Sequence, residues 1–234
     1  MQIELFQVLG PRVPRFAHHN LLTLPSGEGL SKRLGHLSIG ALRDDGYEPS
    51  AVAALSVLVG TSHNVEPVSG LDELMGKVDL ADISHSPAKF DPAELDGLNA
   101  RTLHMLPFET VKARLEAMGV TGGEPFWLAV RGNLTRFREA RDWWDVVAGD
   151  ATFASDDAEL VRASIAHLPP EPWDANTWSQ FTKAVGGATA RKGRALFHPL
   201  RLALTGREQG PELKALLPLM GRARALRRLE TAGK

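Results

Sequence analysis

The chain has 234 residues, 43% of them hydrophobic and 24% charged, which predicts a folded protein of one large or several small domains and excludes intrinsic disorder. It contains no cysteine, which excludes disulfides, thiolate chemistry and Cys-based zinc sites, and no apolar run approaches the ~18 residues of a membrane-spanning helix. The acidic N-terminal segment, Met-Gln-Ile-Glu-Leu-Phe, lacks the basic start of a secretory signal, so we expect a cytoplasmic protein.

Charge is distributed unevenly, although the formal net charge is only −1. Residues 183–234 hold twelve Lys and Arg and three Glu, whereas residues 1–182 hold 15 Lys and Arg and 25 Asp and Glu. A basic C-terminal segment favours contact with a polyanion such as RNA or DNA. The alternative is a basic surface that is simply solvated.

The N-terminal segment predicts a small piece of mixed structure. Residues 1–9 suit a helix, the prolines at 11, 14 and 25 end it, and 16–18 and 21–24 read as short strands. The loop Gly29-Leu30-Ser31-Lys32-Arg33-Leu34-Gly35 then presents a hydroxyl and two cations on a glycine-bearing backbone. Such groups can hold a phosphate, although a loop of this kind is more often solvated.

From Ser38 onward the apolar residues recur at a helical period. Pro49 suits the first turn of a helix, and Asp91 followed by Pro92 predicts a capped helix that runs to about Met105. Further helices are predicted over 108–118 and from Asp156 to His167, with apolar runs at 126–130 and 137–147. The prolines at 169, 170 and 172 mark the best linker, and the whole pattern predicts a mainly α chain with a small α/β piece at its start.

Aromatic residues at helical spacing are more often core than base-stacking platforms, so we interpret the tryptophans as core. The histidines show no spacing typical of metal ligands, and we expect no metal site in this chain.

The C-terminal segment resembles a known family. The end of bacterial glutamyl-tRNA synthetases is similar to three stretches of this chain: Leu196-Phe197-His198-Pro199-Leu200-Arg201-Leu202-Ala203-Leu204-Thr205-Gly206-Arg207, then Gly210-Pro211-Glu212-Leu213, then 216–222. Residues 89–99 and the Lys32 loop in its setting are also similar to this family. The resemblance implies only the C-terminal half of that class I enzyme. It divides the chain into a catalytic-domain remnant with the signature loop at 1–37, a stem-contact helical domain at 38–107, and two anticodon-binding helical subdomains at 108–168 and 169–234.

The resemblance also implies two functional sites. Lys32 is the loop lysine that contacts ATP phosphates and stabilises adenylation, assisted by Ser31 and Arg33, with magnesium accompanying ATP in the full enzyme. The family usually has lysine where this chain has Gly29.

The second implied site reads the anticodon. Arg201 resembles an arginine that recognises an anticodon base, and Pro211 and Leu213 would line the same pocket. Arg131 is a candidate for the third anticodon position. The alternative for Arg201 is an ordinary capping or surface arginine.

The family's glutamate-activating motifs, including His-x-Gly-His, are not found in this sequence. We therefore expect the tRNA-binding half of a glutamate–tRNA ligase, inactive by itself, that binds tRNA-Glu and possibly tRNA-Gln but neither DNA nor membrane. Met1 would then be an internal start or the beginning of a truncated product. Two alternatives stay open, namely a free-standing tRNA-binding paralogue without enzyme activity, and a helical adaptor with a solvated basic tail.

Overall fold

A computed structural model describes residues 2–10, 12–16, 19–30, 38–84 and 86–234, and within them the chain is mainly helical. The α-helices are α1 (Gln2–Leu9), α2 (Ile39–Asp44), α3 (Pro49–Leu58), α4 (Leu71–Lys77), α5 (Pro92–Met105), α6 (Phe108–Ala117), α7 (Gly123–Val130), α8 (Glu139–Ala148), α9 (Ala158–Ser164), α10 (Thr177–Thr189), α11 (Arg194–Thr205), α12 (Leu213–Met220) and α13 (Arg222–Ala232). Short 3-10 turns cover Leu80–Asp82, Arg131–Asn133 and Ile165–His167. Within these ranges no helix has the length and apolarity needed to cross a membrane. The predicted mainly α fold is confirmed.

The helix starts predicted at Ser38 and Asp91 are confirmed. Ser38 Oγ accepts from the backbone N–H of Ala41 at 3.1 Å, and Asp91 Oδ1 accepts from that of Ala93 at 2.9 Å. Pro92 occupies the first helical turn of α5, where its missing N–H costs nothing.

The N-terminal piece contains a two-stranded parallel sheet. Strand β1 (Leu22–Thr23) pairs with β2 (Ala88–Lys89), so the chain returns to its start before α5 begins. The predicted strand at 16–18 is wrong at Phe16, which lies in irregular backbone with its ring centroid 5.8 Å from that of Phe6. Ala17 and His18 lie outside the described residues.

Three hydrophobic clusters hold the helices together. The first joins α2, α3, α4 and the start of α5, and the second joins the end of α5 with α6, α7 and α8. The third joins α9, α10, α11, α12 and α13. Leu160, Val161 and Leu168 pack in this third cluster with the C-terminal helices. The predicted domain boundaries, including the one at 168/169, stay a prediction.

The arginines at 222, 224, 227 and 228 lie on a helix of their own. Gly221, with φ of +75°, ends α12, and α13 begins at Arg222. Arg228 of this helix is buried although it is charged. It is 1% exposed, and its guanidinium donates to the backbone carbonyls of Gly149, Ala151 and Leu204 at 2.7 to 3.0 Å.

Candidate nucleic-acid interface

The predicted phosphate loop lies outside the described residues. Ser31, Lys32 and Arg33 all fall in the range 31–37. Their role towards ATP therefore stays a prediction.

Two predicted base-recognition residues, Arg201 and Leu213, line one surface pocket of about 390 Å3. The pocket lies between α10, α11 and the start of α12, and its other lining residues are Trp178, Phe197, Glu212 and Lys214. Pro211, the third predicted residue, fixes the arginine, because its carbonyl accepts from Arg201 Nη2 at 3.0 Å. The structure thus brings Arg201, Pro211 and Leu213 together.

Arg201 has an unused hydrogen-bond donor. Its Nη1 is buried without a hydrogen-bond partner among the described residues, and no described carboxylate forms an ion pair with the guanidinium. Burial lowers the pKa of this side chain below its usual value. Since an unpaired buried donor is unfavourable, an acceptor on a ligand that meets Nη1 after a shift of the arginine side chain would relieve this cost.

The chain turn that delivers Pro211 requires glycine. Gly210 has φ of +141°, and a Cβ there would lie 2.1 Å from Cη2 of Trp143. The Trp143 ring packs against the second hydrophobic cluster. This contact sets the position of the Pro211 carbonyl, and so that of the Arg201 guanidinium.

Two aromatic rings form a wall of the pocket. The ring centroids of Trp178 and Phe197 are 6.3 Å apart, and Trp178 also packs on Phe181 at 6.1 Å. Trp178 is partly buried against the third cluster, whereas Phe197 is 44% exposed. The sequence interpretation overlooked Phe197, although it lies within the Leu196–Arg207 motif.

Arg131 lies apart from this pocket, in the turn after α7. Its Nη1 donates to the carbonyl of Leu106 at 3.0 Å, and Trp127 Nε1 donates to the same oxygen at 2.9 Å. These bonds tie the end of α7 to the connection between α5 and α6. The predicted contact of Arg131 with a third anticodon base stays a prediction.

The comparison with known proteins bears on the same region. Residues 146–233, which include Arg201, Pro211 and Leu213, match a family described as "Anticodon binding domain". A curated relative, "Glutamate--tRNA ligase 2" of Xanthobacter autotrophicus, is 62% identical over 231 residues, which are 98% of this chain and 50% of the relative. The family resemblance predicted from the sequence is confirmed.

A second relative and a solved structure agree with this result. "Glutamate--tRNA ligase 1" of Brucella canis is 56% identical over 227 residues, 94% of this chain and 50% of the relative. A crystal structure of a glutamate tRNA ligase from Elizabethkingia meningosepticum has a TM-score of 0.78 at 20% identity, covering 98% of this chain and 53% of that one, and so shares its fold. The chain therefore spans about half the length of the glutamate–tRNA ligases it matches, and the anticodon-binding match fits their C-terminal half.

Proposed function

We propose that this chain is the tRNA-binding half of a glutamate–tRNA ligase and that it contacts the anticodon at the Arg201 pocket. The observation that carries the proposal is the state of the Arg201 guanidinium. Pro211 holds one of its terminal nitrogens while the other has no partner among the described residues. The site is therefore oriented before any ligand arrives.

This arrangement suits a base that is turned out of an RNA loop. Proteins read such bases by hydrogen bonds to their edges and by stacking on aromatic rings or on arginine. Arg201 supplies the donor for an acceptor on the base edge, and the wall of Trp178 and Phe197 supplies a flat apolar surface. A buried donor of fixed direction discriminates between bases that offer an acceptor there and bases that do not.

The test is RNA binding with matched variants. We expect the chain to prefer a tRNA-Glu transcript over duplex DNA, with an affinity that falls steeply as salt rises. Arg201→Gln should weaken binding by ~10-fold or more and reduce the penalty for a changed anticodon base. Arg12→Gln, at an exposed arginine of the N-terminal segment, is the control and should bind as the wild type does. A wild-type chain that binds duplex DNA as well as tRNA at low salt would contradict the proposal.

We propose further that in a full-length ligase this half serves ATP-dependent attachment of glutamate to tRNA in the cytoplasm. Lys32, with Ser31 and Arg33, would contact the ATP phosphates, and a magnesium ion would accompany the nucleotide. The His-x-Gly-His motif of the family does not occur in these 234 residues. We therefore expect no glutamate-dependent ATP–pyrophosphate exchange from this chain alone, and measurable exchange would refute that expectation.

A further inference from the structure

A second hollow of about 390 Å3 adjoins the Arg201 pocket, and Phe197 lines both. It lies between one side of α10 (from Ser179 to Gly187), the α10–α11 connection and the first turn of α11. Its cationic lining residues are Lys183, Arg191 and Lys192, and its described lining contains no carboxylate.

The two lysines of this hollow are free to bind a ligand. The side chains of Lys183 and Lys192 are exposed and form no hydrogen bond or ion pair with any other described residue. Arg191, in contrast, pairs with Asp157 at 3.1 Å. The hollow therefore presents two uncompensated positive charges beside an exposed aromatic ring.

The backbone of the α10–α11 connection brings these groups together. Ala190 and Gly193 have φ of +55° and +54°, and these left-handed residues turn the chain back over the end of α10. Gly186 allows the close approach, because a Cβ there would lie 3.2 Å from the carbonyl oxygen of Arg191 and 3.3 Å from Leu196 Cδ2. This turn places Lys192 on the same hollow as Lys183 of the helix before it.

A strand of RNA with one base in the Arg201 pocket can continue past Phe197, because this ring lines both hollows. There it would meet a ring that is 44% exposed and already backed by Trp178 on one side. Stacking on aromatic side chains combined with cationic contacts to the backbone is the usual way in which proteins hold single-stranded nucleic acid. An aromatic ring between an arginine donor and two free lysines has this composition.

We propose that Phe197, Lys183 and Lys192 bind the nucleotide next to the base held at Arg201. Phe197 stacks on that neighbouring base, and the two lysines contact its flanking phosphates. The inference rests on the proposed function and adds a second nucleotide position with three new residues.

The experiment measures the affinity of the full chain for an RNA hairpin carrying the tRNA-Glu anticodon loop, as a function of salt. The double variant Lys183→Gln/Lys192→Gln should weaken binding for all hairpins alike. It should also reduce the slope of log K against log salt by ~1.4, since each phosphate contact in a single strand contributes ~0.7. Phe197→Leu should weaken binding by ~10-fold without changing that slope, because stacking releases no counterions.

Lys112→Gln is the matched control, since Lys112 is an exposed lysine on α6 with no ion pair to another described residue. It should leave both affinity and slope unchanged. All four altered positions lie on the surface, so circular dichroism of the variants should match the wild type.

The outcomes separate the two proposals. If Arg201→Gln weakens binding but the lysine pair and Phe197→Leu leave affinity and slope unchanged, the second nucleotide position is refuted while the Arg201 site stands. If the lysine pair lowers the slope no more than Lys112→Gln does, the phosphate contacts are refuted. If the wild-type chain does not prefer the hairpin over duplex DNA, both proposals fall.

Discussion

The ion pair between Glu48 and Arg114 allows the loss of stability on replacing either partner to be predicted from the structure. Arg114 Nη1 and Nη2 donate to the two carboxylate oxygens of Glu48 at 2.9 and 2.7 Å, and the guanidinium lies 3.7 Å above the Phe137 ring centre. The two partners differ in environment, since the Glu48 side chain is 6% exposed and that of Arg114 is 45% exposed. Replacing the arginine should therefore cost more than replacing the glutamate.

The magnitude follows from which group is left unpaired. In Arg114→Met the buried carboxylate of Glu48 loses both donors, and breaking a buried pair in this way costs roughly 3–5 kcal/mol. Because water reaches half of the arginine side, we expect the lower end, about 3 kcal/mol. Glu48→Gln leaves an arginine that water can solvate, and we expect about 1 kcal/mol. The Glu48 side chain makes no cap hydrogen bond to α3, so this variant loses no helix cap.

Thermal unfolding followed by circular dichroism measures the difference. For a chain of this size, 3 kcal/mol corresponds to a fall in Tm of roughly 6–12 °C, and Glu48→Gln should lower Tm by only a few degrees. The double variant Glu48→Gln/Arg114→Met should be less destabilised than the sum of the two, because it contains no orphaned charge. If Arg114→Met lowers Tm no more than Glu48→Gln does, an unpaired buried carboxylate is not the main source of destabilisation and the prediction is wrong.

Three further variants test other contacts. Tyr47 is the single tyrosine of the chain, and its pKa is raised to about 12, first by burial and then by its hydrogen bond to Asp96. The variant Asp96→Asn should lower the Tyr47 pKa towards 10 in an absorbance titration. An unchanged titration midpoint would refute the role of Asp96. Arg228→Met removes the donors to three carbonyls and should lower the free energy of unfolding, measured by urea denaturation, by about 3 kcal/mol. Wild-type stability of this variant would show that the loss of these hydrogen bonds is offset. Gly210→Ala should reduce both stability and RNA affinity, because its Cβ would collide with Trp143. Unchanged RNA affinity would show that the turn at Gly210 does not position the base pocket.

The parts of the fold that sequence predicted are those governed by local chemistry. Asp91 and Pro92 start α5 because a carboxylate can satisfy a free N–H and a proline lacks one, and neither effect depends on distant residues. The burial of Arg228 could not be predicted in this way. It depends on three carbonyls that come from the segment after α8 and from α11.

In the candidate site, too, the residues close together in sequence could be predicted and those from distant elements could not. The motif around Arg201 and Pro211 predicted both residues, and the hydrogen bond between them joins positions only ten apart. Lys183 belongs to another helix, and it reaches the site only through a turn at Ala190, where a left-handed residue is not glycine. Such a conformation has no reliable sequence signal. Phe197 is exposed, and no sequence signal separates it from a core phenylalanine.

Helix α12 connects the base pocket to the packing of the whole C-terminal region. Leu216 belongs to the second hydrophobic cluster, whereas Leu213 and Leu217 belong to the third. The residues just before and at its start, Pro211 and Leu213, hold and line the Arg201 pocket. The pocket is therefore positioned by two cores at once, and a repacking of either one would shift the Pro211 carbonyl relative to the arginine. Because a hydrogen bond weakens steeply with misalignment, base recognition at Arg201 should be sensitive to core substitutions that never touch RNA.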